Sequence, residues 1–313
     1  VIERRLPLDT AKLGPGVVLD DLATLLAEAI DAVSARGALP VGMTLALPGL
    51  VEAGAGILRV APNLGWTSVP IVQEVSDRLG RPPYRLLVDN EANLAAIAEV
   101  AAGSSAGSRD LILLTGAAGI GGGVVSGGRL LRGDHGFGGE VGHMSVAPGG
   151  RRCGCGRFGC WETVVGLTAL LADAADPDDP VRDPALDLDQ RLAEINRRAG
   201  LGDARTLAAL ERVGSWLGIG ASILVNILNP SVLVLGGFMA AVGPWLTENV
   251  EAELAARVIA PNGGGCRVEL STLGFTAAVR GGAQVALEAV YTDPTMVQRI
   301  PPVGSPMPIG GSA

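Results

Sequence analysis

The sequence predicts an α/β protein of two lobes, each built on a mostly parallel sheet. Three observations carry this. Apolar stretches of strand length alternate with helix-period segments along most of the chain, the pattern of a sheet covered by helices. The 313 residues are 48% hydrophobic, enough for a large core that divides in two. They include 46 glycines and only 3% aromatics, so turns are frequent and the packing relies on Ala, Val and Leu.

Taken in order, Arg4 to Asp9 (RRLPLD) reads as the end of a strand and Gly14-Pro15-Gly16 as a turn. Val18, Leu22, Leu25, Leu26, Ile30 and Val33 then share one face of a helix that Gly37 closes. Leu39 to Leu47 is an apolar run ending at Pro48-Gly49, a central parallel strand with a ligand-facing carboxyl end. Asn63 to Trp66 reads as a loop and Ile71 to Leu79 as a helix. Tyr84 to Val88 is a strand, after which DNEANLAAIAE opens a helix. Asp110 to Gly136 reads as strand, glycine loop, strand and turn; Gly119, Gly121, Gly122 and Gly123 fit a phosphate cradle or close strand packing. His135 in that turn reads as a surface residue. Helices are expected over 163–175, 190–198, 204–228, 245–258 and 277–291, with strands over 231–235 and 266–273. Pro177 to Asp189 is acidic and Pro-rich, an exposed loop, and 294–313 is aperiodic and expected to be disordered. The expected units are 1–103, 104–293 and that tail.

Charge and hydropathy exclude several classes. A net charge of −8 and a pI near 4.9 argue against direct nucleic-acid binding by this chain, which needs clustered Lys and Arg. Ser215 to Thr247 holds no charged residue, but Asn226, Asn229, Pro230, Gly236 and Gly237 interrupt it, so no membrane span is expected. The start, VIERRLPLDT, has no apolar core after its charges. With clustered cysteines that fit a reducing compartment, a cytoplasmic protein is expected.

Most of the chemistry lies in Gly139 to Glu162, GEVGHMSVAPGGRRCGCGRFGCWE. Three of the four cysteines, Cys153, Cys155 and Cys160, follow His143, one of two histidines. Three close thiols and an imidazole make a tetrahedral, closed Cys₃His set for structural Zn²⁺; the plainer alternative is reduced loop cysteines. Glu140 and Glu162 flank the set. Carboxylates fixed by a metal loop suit the vicinal hydroxyls of a polyol, and a zinc-bound imidazole has a second nitrogen to offer. Two solvated loop charges fit the same spacing.

GExGH followed by CxCGxxGCxE resembles the signature of the ROK family, the repressors, open reading frames and sugar kinases, with every position intact. The resemblance runs from about Leu6 to about Val290. It implies a two-lobed actin-like, ribonuclease-H-like ATPase fold of the sugar kinase type, with the first lobe incomplete at its N-terminus. It also implies that Gly49 contacts the sugar through its backbone, with Asn63, Asn90, Glu91, Glu140, His143 and Glu162 around it. Family kinases read Asn-Asp-Ala-Asn where this chain reads Asn90-Glu91-Ala92-Asn93, and their Asp takes the proton of the attacking hydroxyl. Glu91 has a similar pKa, but its extra methylene shifts the carboxylate by roughly 1 Å, a displacement that can cost about 10²-fold. An acidic residue at a helix start also has a purely structural use.

Within the family, Asn-Glu-Ala-Asn and GRLLRGDHGFGGEVGHM resemble the xylose-repressor and N-acetylglucosamine-repressor branch. Neither the kinases' Asp-x-Gly-Gly-Thr nor the repressors' winged helix-turn-helix occurs in this sequence, and Thr115 to Gly119 departs from the kinases' Gly-Thr-Gly loop. The expected function is therefore the sugar-effector region of a transcriptional regulator, a homodimer that meets DNA only through a helix-turn-helix. The alternative is an ATP-dependent sugar kinase acting on a hexose hydroxyl with ATP and Mg²⁺, Glu91 standing at the base position.

Overall fold

Helix α1 (Pro15–Ser34) opens the part of the chain that the computed structural model describes, residues 12–116, 119–260 and 265–296. The strand end expected at Arg4–Asp9 and residues 297–313 of the tail expected at 294–313 lie outside the described residues, whereas Pro294–Met296 of that tail form a short 3-10 helix. Gly14 caps α1 in an extended conformation and Pro15 takes its first position. The predicted turn is thus a helix start, because proline's fixed φ suits the first turn and its missing N–H costs nothing there.

β1 (Gly42–Leu47) follows, and Pro48-Gly49 turns the chain into a small antiparallel sheet of β2 (Leu50–Glu52), β3 (Ile57–Ala61) and β4 (Trp66–Val69). The sequence pattern predicts no strand between Gly49 and Asn63 and a loop from Asn63 to Trp66. These strands mix apolar and polar residues over three to five positions, which gives neither a continuous apolar run nor enough alternations to register as a period. Their pairing is held by tertiary burial instead: Leu58 and Ala61 are buried, as is Trp66, which pairs with Ala61. α2 (Ile71–Arg78) leads to β5 (Arg85–Asn90), which lies parallel to β1 in register Gly42↔Arg85 through Leu47↔Asn90. The Gly49 turn and the Asn90 helix start therefore leave neighbouring strands at the same end.

α3 (Glu91–Ala102) crosses to β6 (Leu111–Thr115), β7 (Gly121–Ser126) and β8 (Arg129–Leu130). After the loop that carries Gly139–Glu162 come α4 (Glu162–Val165) and α5 (Leu167–Ala174), divided at Gly166 where one helix was expected. α6 (Leu188–Gly200) and α7 (Ala204–Leu228) are followed by β9 (Val232–Leu235), α8 (Phe238–Ala241), α9 (Thr247–Arg257), β10 (Arg267–Leu270) and α10 (Ala277–Thr292). The loop before α6 is less exposed than expected, since Val181 is buried.

The second sheet has the order β10-β9-β6-β7-β8. β10, β9 and β6 are parallel, whereas β7 and β8 return antiparallel. The expectation of a mostly parallel sheet fails at β7, because the short connection from Thr115 to Gly121 cannot hold the crossover that a parallel neighbour needs. α7 is long and apolar enough to cross a membrane, yet 61% of its apolar window is buried within the protein. Leu210, Val213, Leu217 and Ala221 place it in the core, packed against α5 and α9. At Gly220 an added Cβ would lie 2.1 Å from the Trp161 ring, which is itself fully buried and donates from Nε1 to Trp216 O at 2.8 Å. Trp161 sits between Cys160 and Glu162, so α7 fixes the end of the cysteine loop.

Candidate functional site

Asn90 caps α3: its Oδ1 accepts from the Ala92 and Asn93 N–H groups at 2.8 and 3.3 Å, and its Nδ2 donates to Gly49 O at 2.9 Å. The side chain expected on the sugar is thus mostly spent joining the two strand ends. Gly49 itself has φ +94°, and a Cβ there would strike Val60 O, so this turn requires glycine. Glu91 takes the first position of α3. It faces a cavity of about 260 Å³ together with Gly49, Asn63, Asn90, Glu140, His143 and Glu162. All seven residues expected around a sugar therefore line one cavity.

The sequence reading missed Asn93 and Asp89. Asn93, one turn on from Asn90, also lines the cavity and is buried. Asp89 is buried behind it, accepting from Asn93 Nδ2 at 3.3 Å and from Asn90 N at 2.8 Å. Burial was the missing information, because nothing in the sequence separates Asp89 from an ordinary strand-end carboxylate.

Two polar atoms of residues that line the cavity stand out. Glu91 Oε2 and Asn93 Oδ1 are buried with no hydrogen-bond partner. Such atoms cost about 1–3 kcal/mol each when left unpaired, and a hydroxyl-bearing ligand would satisfy both. Burial pushes the Glu91 carboxyl up to about 7 against the pull of its own backbone N–H, and nearby Glu140 adds to the rise. Glu140 is raised too, first by burial and then by Glu162, with His143 opposing. Gly122 and Gly121, read as a possible phosphate cradle, line this cavity, while Gly123 meets Ala92 O and Ala96 of α3. Close helix–strand packing accounts for that glycine. His135 is exposed, as expected.

His143, Cys153, Cys155 and Cys160 present one ligand atom each, all within 4.8 Å of one another. Cys153 Sγ lies 3.6 Å from His143 Nδ1, and Cys155 Sγ lies 3.6 Å from Cys160 Sγ. A tetrahedral ion with metal–sulfur bonds of about 2.3 Å and a metal–nitrogen bond of about 2.0 Å requires ligand separations of roughly 3.5–3.8 Å. The donor set fits a metal. Cys155 N–H donates to Cys153 Sγ at 3.3 Å, which favours a thiolate there. Burial works against ionising Cys155, yet the Arg157 N–H groups and the neighbouring thiols hold it down to about 7. Burial and Glu162 push Cys153 above its ordinary range, and burial with Cys155 does the same for Cys160. Without a cation the three sulfurs do not share negative charge readily, and a bound cation would release their protons.

The metal set and the cavity share a wall. With Nδ1 turned to the sulfurs, His143 Nε2 faces Glu140 Oε2 at 3.8 Å, too long for a direct hydrogen bond. Glu162 lies on the other side, 3.8 Å from His143 Nδ1. Gly119 leaves the room that Glu162 occupies, since a Cβ there would approach Glu162 Oε2 to 2.5 Å.

The chain is similar both to enzymes and to regulators. A glucokinase of Halalkalibacterium halodurans is 32% identical over 249 residues, 77% of this chain and 74% of its own length. The xylose repressor of Bacillus subtilis is 28% identical over 248 residues, 79% of this chain but 61% of the repressor. Among solved structures, a ROK family transcriptional regulator homologous to the E. coli MLC protein superposes with a TM-score of 0.73 at 26% identity, covering 88% of this chain and 69% of its own. A ROK family glucokinase from Streptomyces griseus, in complex with glucose and AMPPNP, gives 0.72 at 26%, covering 86% and 88%. These neighbours bear out the actin-like, sugar kinase type of α/β fold. The ROK family profile matches residues 10–289, and with the GExGH and CxCGxxGCxE residues gathered at one cavity, the chain is a member of the ROK family.

Proposed function

We propose that this chain is the sugar-sensing region of a ROK transcriptional regulator, with structural Zn²⁺ held by His143, Cys153, Cys155 and Cys160. The observation that carries the sugar reading is the pair of unpartnered buried acceptors, Glu91 Oε2 and Asn93 Oδ1, in a cavity also lined by Glu140, His143 and Glu162. Carboxylates and amide oxygens accept from vicinal hydroxyls, and His143 Nε2 can serve the same ligand. Gly49 and Asn90 shape the cavity through the strand-end hydrogen bond, while Asn63 closes it beside Glu162.

The choice of regulator rests on Glu91 at the position where ROK kinases carry Asp, and on repressors of xylose among the relatives. Sugar binding would favour one lobe arrangement and so change the spacing of two DNA-reading heads in a cytoplasmic homodimer. In this reading a helix-turn-helix, and not the residues around the cavity, makes the DNA contact. Titration calorimetry with hexoses, pentoses and amino sugars tests the proposal. Saturable heat that is lost in Glu140→Gln supports it, and the absence of heat with every sugar overturns it.

One observation favours the kinase as second reading. A carboxyl raised to about 7 is suited to general-base work near neutral pH, and glucokinases are among the relatives. In a coupled ADP-release assay with Mg²⁺, turnover abolished by Glu91→Gln would place the kinase first. Sugar binding without turnover keeps the regulator.

A further inference from the structure

The sugar cavity does not end at Glu162. A second depression of about 250 Å³ begins at the same residues, Asn63, Gly119 and Glu162, and runs outward past Cys153 to Arg151, Arg152 and Thr168. The two compartments carry opposite charge. The inner one presents Glu91, Glu140 and Glu162, and the outer one adds two guanidinium groups to the shared Glu162.

In a chain of net charge −8, three arginines fall within RRCGCGR at 151–157. Arg157 is the one turned to the thiols, where its contacts hold Cys155 down. Arg151 reaches Asp173 only at 3.4 Å, while Arg212 holds the same carboxylate at 2.8 Å. Arg152 forms no ion pair and no side-chain hydrogen bond among the described residues. Both guanidinium groups of the outer compartment therefore have donors to spare. A guanidinium fork matches the paired oxygens of a phosphate or carboxylate, whereas the acidic inner cavity repels them.

We infer that the cognate ligand is a saccharide whose ring fills the inner cavity and whose anionic group, phosphate or carboxylate, is held by Arg152 and Arg151. This rests on the sugar-binding reading above. The charge division would orient the ring, because only one end of the ligand can tolerate each compartment.

Calorimetry on the zinc-loaded protein at low salt tests it, with neutral hexoses and pentoses, their 1- and 6-phosphates, the corresponding uronates, and neutral disaccharides. One charged derivative is expected to bind about tenfold more tightly than its neutral parent. The phosphate and uronate arms identify which anion it is. In Arg151→Gln/Arg152→Gln the ratio of charged to parent affinity falls to about one, while Arg152→Lys keeps a ratio above about three. Equal affinities overturn the inference, as does a preference that survives the double substitution or an equal gain with neutral disaccharides. Heat from neutral sugars alone overturns this inference but leaves the sugar reading standing; no heat from any saccharide overturns both.

Discussion

Arg132 Nη1 lies 2.6 Å from Asp89 Oδ2, joining the loop that leads to Glu140 to the strand that ends at Asn90, next to Glu91. Asp89 is buried and spends its other oxygen on Asn90 N and Asn93 Nδ2, while Arg132 O accepts from Gly138 N at 2.7 Å. One ion pair thus holds both walls of the cavity. Removing one partner leaves a buried charge uncompensated, a loss of 3–5 kcal/mol for full burial. Arg132 is 36% exposed in its side chain, so Arg132→Met is expected to cost about 2 kcal/mol in urea denaturation. Adding Asp89→Asn should restore more than half of that. Additive losses in the double-mutant cycle would show that the pair does not act as a unit.

Glu91 makes stability depend on pH in a defined direction. Its carboxyl rises from 4.5 in the unfolded chain to about 7 in the native one. Between those values the native state keeps the proton and the unfolded state has released it, so stability falls as pH rises through that window and levels off above it. The shift corresponds to at most about 3 kcal/mol. Glu91→Gln holds no titrating proton and should flatten this part of the profile. Urea midpoints at pH 5 and pH 8 check it: the wild-type protein should lose more between them than the variant, and parallel profiles would refute the assignment.

Metal removal should separate the cysteine loop from the rest of the fold. The set holds the ends of 143–160 together, and α7 secures only the far end through Trp161. Chelation, or Cys155→Ser, is expected to remove one equivalent of zinc, to lower sugar affinity at least tenfold, and to leave most helical signal intact. Because the thiols give up protons on binding, zinc affinity should rise with pH. Elemental analysis with circular dichroism and calorimetry reads all three, and a protein without zinc that binds sugar unchanged would exclude a positioning role for the metal.

How much of this was legible in the sequence depended on the range of the interaction. Helix α7 was read to its residue bounds because its apolar period runs unbroken from Ala204 to Leu228. The cluster of His143, Cys153, Cys155 and Cys160 was legible because its members are local in sequence and chemically distinctive. β2, β3 and β4 were not, since they mix apolar and polar residues over three to five positions, unlike the continuous apolar runs of β6 and β9, and depend on pairing. Nor could the sequence show that Asn90 turns its amide to Gly49, 41 residues away, or that Asp89 is buried. Those facts are made by the parallel register of β1 and β5, which brings together segments that are silent when read singly.

The contact between Gly220 and Trp161 offers the sharpest test of how the core controls the site. A Cβ at residue 220 would lie 2.1 Å from Trp161 Cε2, and the indole is fully buried with its N–H committed to Trp216 O. The ring is enclosed and held by that hydrogen bond, so overpacking here displaces the ring together with α7 or the 160–162 segment. Such displacements cost about 1–3 kcal/mol. Gly220→Ala is therefore expected to lower stability by that amount and to weaken sugar binding, since Glu162 follows Trp161 directly. Trp161→Phe shortens the ring, removing the outer indole atoms such as Cζ2, and frees it from the hydrogen bond, so it can shift and Gly220→Ala should cost less in that background than in the wild type. Denaturation of the four proteins, followed by circular dichroism, measures the coupling. If the penalty is the same in both backgrounds, Trp161 is not what α7 presses against.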